Sequence, residues 1–419
     1  MTLRCAAGTA VMMLSVLAAS QANWPSFRGP SGNGYAAENV RPPLRWSAKE
    51  NVAWKIALPG PGNSTPVVWQ HRIFLTQSLD ADGHQRALLC LERDTGKELW
   101  RQVVHYPDKE PTHRDNPYCS ASPATDGQRV VVSFGSAGVY AYDFAGRQLW
   151  HYDTGKIHHV WGNAASPVIH DGLVFVNCGP GERTFLVALN LTDGKEVWKV
   201  NIPGGKYGEK PTDWLGSWAT PGILKTATRT LVVAAWPEFL AAYDARTGLE
   251  VWRCDGLGKL LYTSPVVASQ VVLMSSGYGG PALAVRPDGQ GNVTSTHRLW
   301  QTEQRNPQRI GSGVLIGDWF FQPNAGPGSL HCLEWRTGKV LWQERLGEPF
   351  WGSLVHAAGR LYATDKRGVT YVVAASPKFE LLAKNELDGE TTHATPVPVD
   401  DLVLIRTWKH LWCLREPKP

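Results

Sequence analysis

Beyond its first two dozen residues the chain has no long hydrophobic run, so nothing in its body is built to cross a bilayer as a helix. No long stretch repeats apolar residues at helical spacing, which excludes a helical bundle. Charge is sparse too: 19% of residues are charged, the net charge is +5, and the basic residues are scattered among acids. Nucleic-acid binding is not indicated. Common catalytic signatures are missing. There is no His-Glu-x-x-His, no Gly-x-Ser-x-Gly, no phosphate-binding loop and no Cys-x-x-Cys.

What the chain has in quantity is Trp, Gly and Pro, at 19, 42 and 29 residues. This is the composition of one packed, turn-rich globule, and many of the Trp recur in register. Thr95-Gly96-Lys97-Glu98-Leu99-Trp100 returns as Asp193-Gly194-Lys195-Glu196-Val197-Trp198, Thr247-Gly248-Leu249-Glu250-Val251-Trp252 and Thr337-Gly338-Lys339-Val340-Leu341-Trp342. Shortened copies end at Trp150 and Trp300, and consecutive Trp of the set lie 42 to 54 residues apart. A period of this size marks a stacked-repeat fold. A Ser/Thr-Pro step opens most units, at Thr65, Ser122, Ser166, Thr220, Ser264 and Thr395. Short runs rich in Val, Ile, Tyr and Phe follow, bounded by Gly, Asp or Pro, and a Glu-x-Trp strand ends the unit. Four strands per unit are predicted, and such units in series form a β-propeller.

Six units end in the Trp slot. A seventh, from Ser353 to about Asn385, carries Ala383 there. The last, Thr395 to Leu414, stops after three strands, and Asn51-Val52-Ala53-Trp54-Lys55-Ile56 reads as its missing fourth. The expectation is an all-β, eight-bladed β-propeller of four-stranded antiparallel blades over residues 51–419, closed by the N-terminal strand, which also covers otherwise open edges. Trp54, Trp100, Trp150, Trp198, Trp252, Trp300 and Trp342 are expected to pack between blades, because a large flat side chain recurring once per sheet suits that role better than a single site.

The pattern Asp-x-x-Thr-Gly-Lys-x-x-Trp after a Ser-Pro strand resembles the PQQ-like (quinoprotein) β-propeller repeat family over roughly residues 50 to 415. Trp24-Pro25-Ser26-Phe27-Arg28-Gly29-Pro30, Asn116-Pro117-Tyr118-Cys119-Ser120 and Gly179-Pro180-Gly181-Glu182-Arg183-Thr184 look like a secreted bacterial branch of it. The family's alcohol dehydrogenases, as the resemblance implies them, are longer and carry adjacent cysteines beside a quinone and calcium. No Cys-Cys occurs here, so no catalytic or calcium-binding residue is carried over. Closer in size is the non-enzymatic propeller lipoprotein of the outer-membrane barrel-assembly machinery.

Met1 to Ala22 reads as a signal peptide: Arg4, an apolar stretch from Ala6 to Ala19, then Ser20-Gln21-Ala22 as a small-x-small cleavage site. Cys5 precedes the apolar stretch and so is not a lipid-bearing Cys. The mature protein is expected to be exported, periplasmic or secreted, soluble and monomeric. Residues 23–50 form an irregular leader expected to lie across the ring surface, since Trp24 and Phe27 need cover. Six Cys remain. Cys90, Cys332 and Cys413 occupy a third-strand slot that Ala fills elsewhere. A Cys119–Cys178 bridge is one possibility, and free thiols are the expectation.

A four-stranded meander sends its first-to-second and third-to-fourth turns to one face of the ring. Its second-to-third turns and blade-to-blade crossings go to the other. The Thr-Gly-Lys turns are uniform and structural, whereas the crossings before Ser122 and Thr220 are long and irregular, so function is sought on the crossing face. Candidate ligand-binding residues there are His113, Arg114, Asp115, Asn116, His158, His159, Trp161, Trp214, Trp218, Arg305, Arg309, Trp351 and His393. Converging His, Arg and Trp suit a planar anionic ligand. The same residues also suit capping strands and sealing loops. His158-His159 is a poor metal pair, because adjacent strand residues face opposite ways, and no metal site is expected. Two functions follow. One is a non-catalytic exported propeller that binds a protein or carbohydrate partner. The other, by fold analogy alone, is a quinone-dependent dehydrogenase using PQQ with calcium, or another small-molecule enzyme.

Overall fold

Apolar runs such as Val130-Val131-Val132 and Val174-Phe175-Val176 are continuous because their strands are covered on both faces by neighbouring sheets. The outermost strands instead alternate half-buried and exposed positions, as in Val52–Ala57 and Val340–Gly347, and carry charged residues. The computed structural model describes residues 22–205, 210, 214–303 and 307–417. The segment read as a signal peptide, apart from Ala22, lies outside them. Eight four-stranded antiparallel blades form the ring. A single 3-10 turn, Gly135–Ala137, is the one helical element among the described residues, and no helix there is long and apolar enough to cross a membrane.

The first blade is Val67–Trp69, Arg72–Ser78, Gln85–Glu92 and Glu98–His105, and each later blade repeats this inner-to-outer order. The eighth takes Val397–Val399, Leu402–Arg406 and His410–Arg415 from the C-terminal end and Val52–Ala57 from the N-terminal end. Trp54 pairs with Cys413 and Lys55 with Trp412. Closure by the N-terminal strand is as expected.

Two interactions repeat around the ring. The first is the Trp. Trp100, Trp150, Trp198 and Trp342 sit directly opposite Cys90, Ala141, Ala188 and Cys332 of the neighbouring strand, and a β-bulge adjoins each pair. The small slot residue thus leaves room for the ring on the same face of the sheet. In the seventh blade the pair is Val372 and Ala383, with the sizes exchanged. Each Trp then reaches the turn of the next blade. The indole N–H groups of Trp54, Trp100, Trp150 and Trp198 donate to the carbonyls of Arg93, Phe144, Leu191 and Ala245, at 2.9–3.0 Å. The turn Gly lies beneath the ring. At Gly194 φ is +71° and an added Cβ would stand 2.6 Å from Trp150, so both conformation and space require glycine. Trp252 is the exception. The fifth blade replaces its tight turn with a longer loop whose strand Gly291–Asn292 pairs with Trp252 and Arg253, leaving that indole N–H buried without a partner.

The second interaction is a closed girdle. The backbone N–H of Thr65 donates to the Ser122 hydroxyl, Ser122 to Ser166, Ser166 to Thr220 and Thr220 to Ser264. The series continues from Ser264 to Ser312, Ser353, Thr395 and back to Thr65, every bond 2.8–3.2 Å. The hydroxyl, and not the proline that follows it in most blades, is the common element: Gly313 and Leu354 occupy the proline position in the sixth and seventh blades.

The leader does more than lie across the surface. It pairs with the inner edges of the innermost strands, whose backbone groups have no neighbour on the axis. Trp24 exchanges backbone hydrogen bonds with Val68, Pro25 accepts from Thr125, and Gly34 and Ala36 pair with His356. The Asn33 side chain bonds Val267 in both directions, at 2.8 and 2.9 Å. Arg28, buried, donates to the carbonyls of Leu354 and Gly313. These contacts lie beyond the girdle toward the turn face, so the leader stoppers the channel from that side. Trp46 of the leader shares a buried cluster with Ala383 and stacks on Tyr362, with centroids 6.3 Å apart. It supplies the aromatic bulk that the seventh blade's Ala383 lacks.

Trp46→Ala should therefore lower stability by about 3–5 kcal/mol. Ala383→Trp alone should also destabilise, through overpacking, but should restore part of the loss in the Trp46→Ala background. Urea midpoints of the three variants check this, and additive losses in the double variant would refute the exchange.

Candidate functional site

On the crossing face the channel widens into a cavity of about 410 Å³. Its floor is the girdle, with Ser122, Ser166, Thr220, Ser264, Ser353 and Thr395 lining it, and Phe27 of the leader closing it below. Each girdle hydroxyl accepts a backbone N–H and keeps its own proton to donate.

The walls differ in character. Trp161, Trp214, Trp218 and Tyr262, from the crossings into the third, fourth and fifth blades, and Tyr278, from the second-to-third turn of the fifth, form a contiguous aromatic wall. Trp161 lies 5.1 Å from Trp214 and 5.8 Å from Trp218, and Tyr262 5.2 Å from Trp218, between ring centroids. Trp214 and Tyr278 are exposed at the mouth. The short parallel pairing of Gly216–Ser217 with Leu260–Leu261 and the Trp218 indole bond to Gly162 fix this wall.

Opposite stand Asn63, His113, Asp115, Asn116, Trp351 and His393. Asp115 is the hub. Its carboxylate takes a hydrogen bond from Lys366 at 2.7 Å, and its backbone carbonyl accepts from Asn63 and from His393 Nδ1 at 2.9 and 3.0 Å. Burial raises the Asp115 carboxyl, but the Lys366 hydrogen bond and charge, with His393 and His113 beyond, outweigh it and hold the group below the usual carboxylate range. Asn116 carries the network onward by donating to the Trp161 carbonyl at 2.6 Å. The crossing that bears these residues is pinned by the buried Arg86–Glu110 pair.

His393 is stacked on Trp351, with centroids 4.3 Å apart, and edged by Trp408. Because Nδ1 donates to a carbonyl, Nε2 carries the lone pair, and it is buried without a hydrogen-bond partner. Burial, then the Lys366 charge, pushes the imidazole down to about 4 despite Asp115, so it is neutral at ordinary pH.

The geometry divides the candidates predicted from sequence. His113, Asp115, Asn116, Trp161, Trp214, Trp218, Trp351 and His393 line the one cavity. Arg114 does not: its side chain is 84% exposed, with Nε 3.5 Å from the Asp115 carboxylate. His158 is exposed and His159 buried. His159 packs tilted against Trp161 and edge-on against Trp218, and supports the wall without lining the cavity. Arg309 is buried next to two lining residues, Gln308 and Ile310, and does not itself line the space. Arg305 lies outside the described residues. Asn63, Tyr262, Tyr278, Phe27 and Lys366 were not anticipated. The short Gly277-Tyr278-Gly279 turn was the available signal for one of them. All six described Cys are free and buried, their thiols pushed up to about 11 or 12 by burial. The trio Asp388, Glu390 and His410 lies apart, at the edge of the eighth blade, with Lys55 bonded to Asp388 and His410 to Glu390.

The family described as "Outer membrane protein assembly factor BamB", a PQQ-repeat family, matches residues 48–212, 182–314 and 292–409. The chain belongs to this PQQ-like β-propeller repeat family. It is 21% identical over 300 residues to the outer membrane protein assembly factor BamB of Yersinia pestis, a match that covers 71% of this chain and 61% of that one. Among solved structures it is similar to BamB from Moraxella catarrhalis, with TM-score 0.61, 14% identity and coverage of 87% and 99%. It is also similar to a europium-containing methanol dehydrogenase, with TM-score 0.69, 10% identity and coverage of 94% and 98%. Identities this low show the shared fold, which serves both an assembly factor and an enzyme.

Three buried histidines make a further prediction. His159, His331 and His393 are each pushed down to about 4 by burial. They are neutral when folded and take up protons on unfolding below about pH 6.5. Stability should be complete above that pH and fall steadily as pH drops toward 4. Asp115 adds its own loss only below about pH 4. Urea midpoints from pH 7.5 to 4.5 test this, and His331→Gln should flatten the slope. A midpoint unchanged between pH 7 and 5 would contradict it.

Proposed function

We propose that this protein is an exported, non-catalytic propeller that binds a ligand on its crossing face, in the axial cavity above the leader. The observation that carries the reading is the cavity: residues from successive crossings converge on one stoppered space with an aromatic wall, a polar wall and a hydroxyl floor. Its size is that of small-molecule sites, for which about 300–1,000 Å³ is usual. Membership of a family described as an assembly factor supports binding over turnover, and the signal-like N-terminus supports export.

The second reading, PQQ with calcium, meets the wrong donors. Calcium takes six to eight oxygen ligands, several of them carboxylates. The cavity offers one carboxylate, Asp115, and Lys366 already holds it. Among the described residues no lysine or arginine lines the cavity to meet the quinone's own carboxylates.

Two measurements test the proposal. Mature protein titrated with PQQ and calcium should show no saturable thermal shift and no dye reduction, whereas turnover would overturn the non-catalytic reading. Ligands found by thermal-shift screening of a metabolite library should lose about tenfold or more in affinity with Trp161→Ala, roughly the 1.4 kcal/mol of one good contact, and nothing with Lys195→Ala on the turn face. The reverse pattern would show that the other face binds.

A further inference from the structure

Resting on the cavity as the binding site, we propose that its ligand is a neutral saccharide. A pyranose ring would lie against Trp161 and Trp214, with its hydroxyls directed to His393, Asp115 and the girdle floor. The first ground is the split between walls. A pyranose has an apolar C–H face and an equatorial rim of hydroxyls, and the C–H face suits the electron-rich face of an aromatic ring. Here the aromatic wall stands across from a wall of hydrogen-bonding groups.

The second ground is charge. Asp115 and Lys366 cancel at 2.7 Å, so the polar wall presents dipoles and one satisfied ion pair. The one lining carboxylate would repel an anionic ligand, and a cationic one would compete with Lys366 for it. A wholly apolar ligand would seal the floor hydroxyls away from water without partners, which is unfavourable for each group.

The third ground is the balance of donors and acceptors. His393 is 8% exposed and lines the cavity, and its buried Nε2 lone pair has no hydrogen-bond partner, the Asp115 carboxylate 3.9 Å away being another acceptor. It requires a donor. The floor hydroxyls have accepted once and retain protons to give. A sugar hydroxyl donates and accepts through the same oxygen, so adjacent hydroxyls of one ring satisfy both demands. A site that reads hydroxyls in this way rejects analogues lacking them far more strongly than an apolar pocket rejects a missing methylene.

The test is a glycan array probed with fluorescently labelled mature protein, followed by calorimetry and tryptophan quenching on the neutral sugars that bind. At least one neutral glycan should bind saturably. Trp214→Ala, at the exposed mouth where folding is safe, and His393→Ala should each weaken it by about tenfold or more. His393→Gln, which keeps an acceptor, should recover part of the loss, and Lys195→Ala on the turn face should change nothing. Removing the sugar hydroxyl that pairs with His393 should weaken the parent protein but not His393→Ala. An array that is blank, or lit only by sulfated or sialylated glycans, overturns the saccharide. If a non-sugar metabolite then binds and is lost in Trp161→Ala, the cavity survives as the site and the sugar does not. Sugar binding indifferent to every cavity variant overturns both.

Discussion

The girdle of hydrogen bonds from Thr65 through Ser122, Ser166, Thr220, Ser264, Ser312, Ser353 and Thr395 and back is the constraint on which the rest of the molecule depends. Neighbouring blades of a propeller meet face to face, and apolar packing between them does not by itself set their relative height. A hydroxyl of one blade bonded to the backbone of the blade before it does, because the bond tolerates little sliding. Repeated until it closes, it fixes every inner strand to one level. The crossings start from that level, so the site they build inherits its geometry. The same atoms form the cavity floor, which ties ring closure and ligand recognition to one set of side chains.

The fold was legible in the sequence because each blade must solve the same packing problem. The Trp, the turn Gly beneath it and the small residue opposite recur for steric reasons, and even the exception is consistent: Val372 replaces the small residue where Ala383 replaces the Trp. The exception also had its remedy far away, in Trp46, where no repeat could point. The opening Ser/Thr-Pro step was visible but its proline drew the eye, while the hydroxyl carries the interaction. Ser312 and Ser353 show this, since neither precedes proline.

The site was legible in part. Long crossings marked the right sector, since irregular segments on a rigid ring are where a surface departs from its repeat. Asn63, Lys366 and Phe27 were hidden because they arrive from the end of the ring, a second-to-third turn and the leader, joined to the cavity only by folding. Arg114 misled for a general reason. An arginine in a polar loop keeps its head in water, and Arg114 reaches the Asp115 carboxylate only from outside, at 3.5 Å, while Lys366 holds it at 2.7 Å. The leader unites these themes. Its Trp24, Arg28 and Asn33 occupy backbone groups that a ring leaves open on its axis, and in doing so they turn a channel into a cup.

Hydrogen exchange followed by mass spectrometry, on peptides spanning the girdle residues, tests this account most directly. The amides of Thr65, Ser122, Ser166, Thr220, Ser264, Ser312, Ser353 and Thr395 should exchange together, only through global unfolding, and far more slowly than the crossing segments a few residues before them. Exchange of these amides at the rate of the neighbouring crossings, one blade independently of the next, would contradict it.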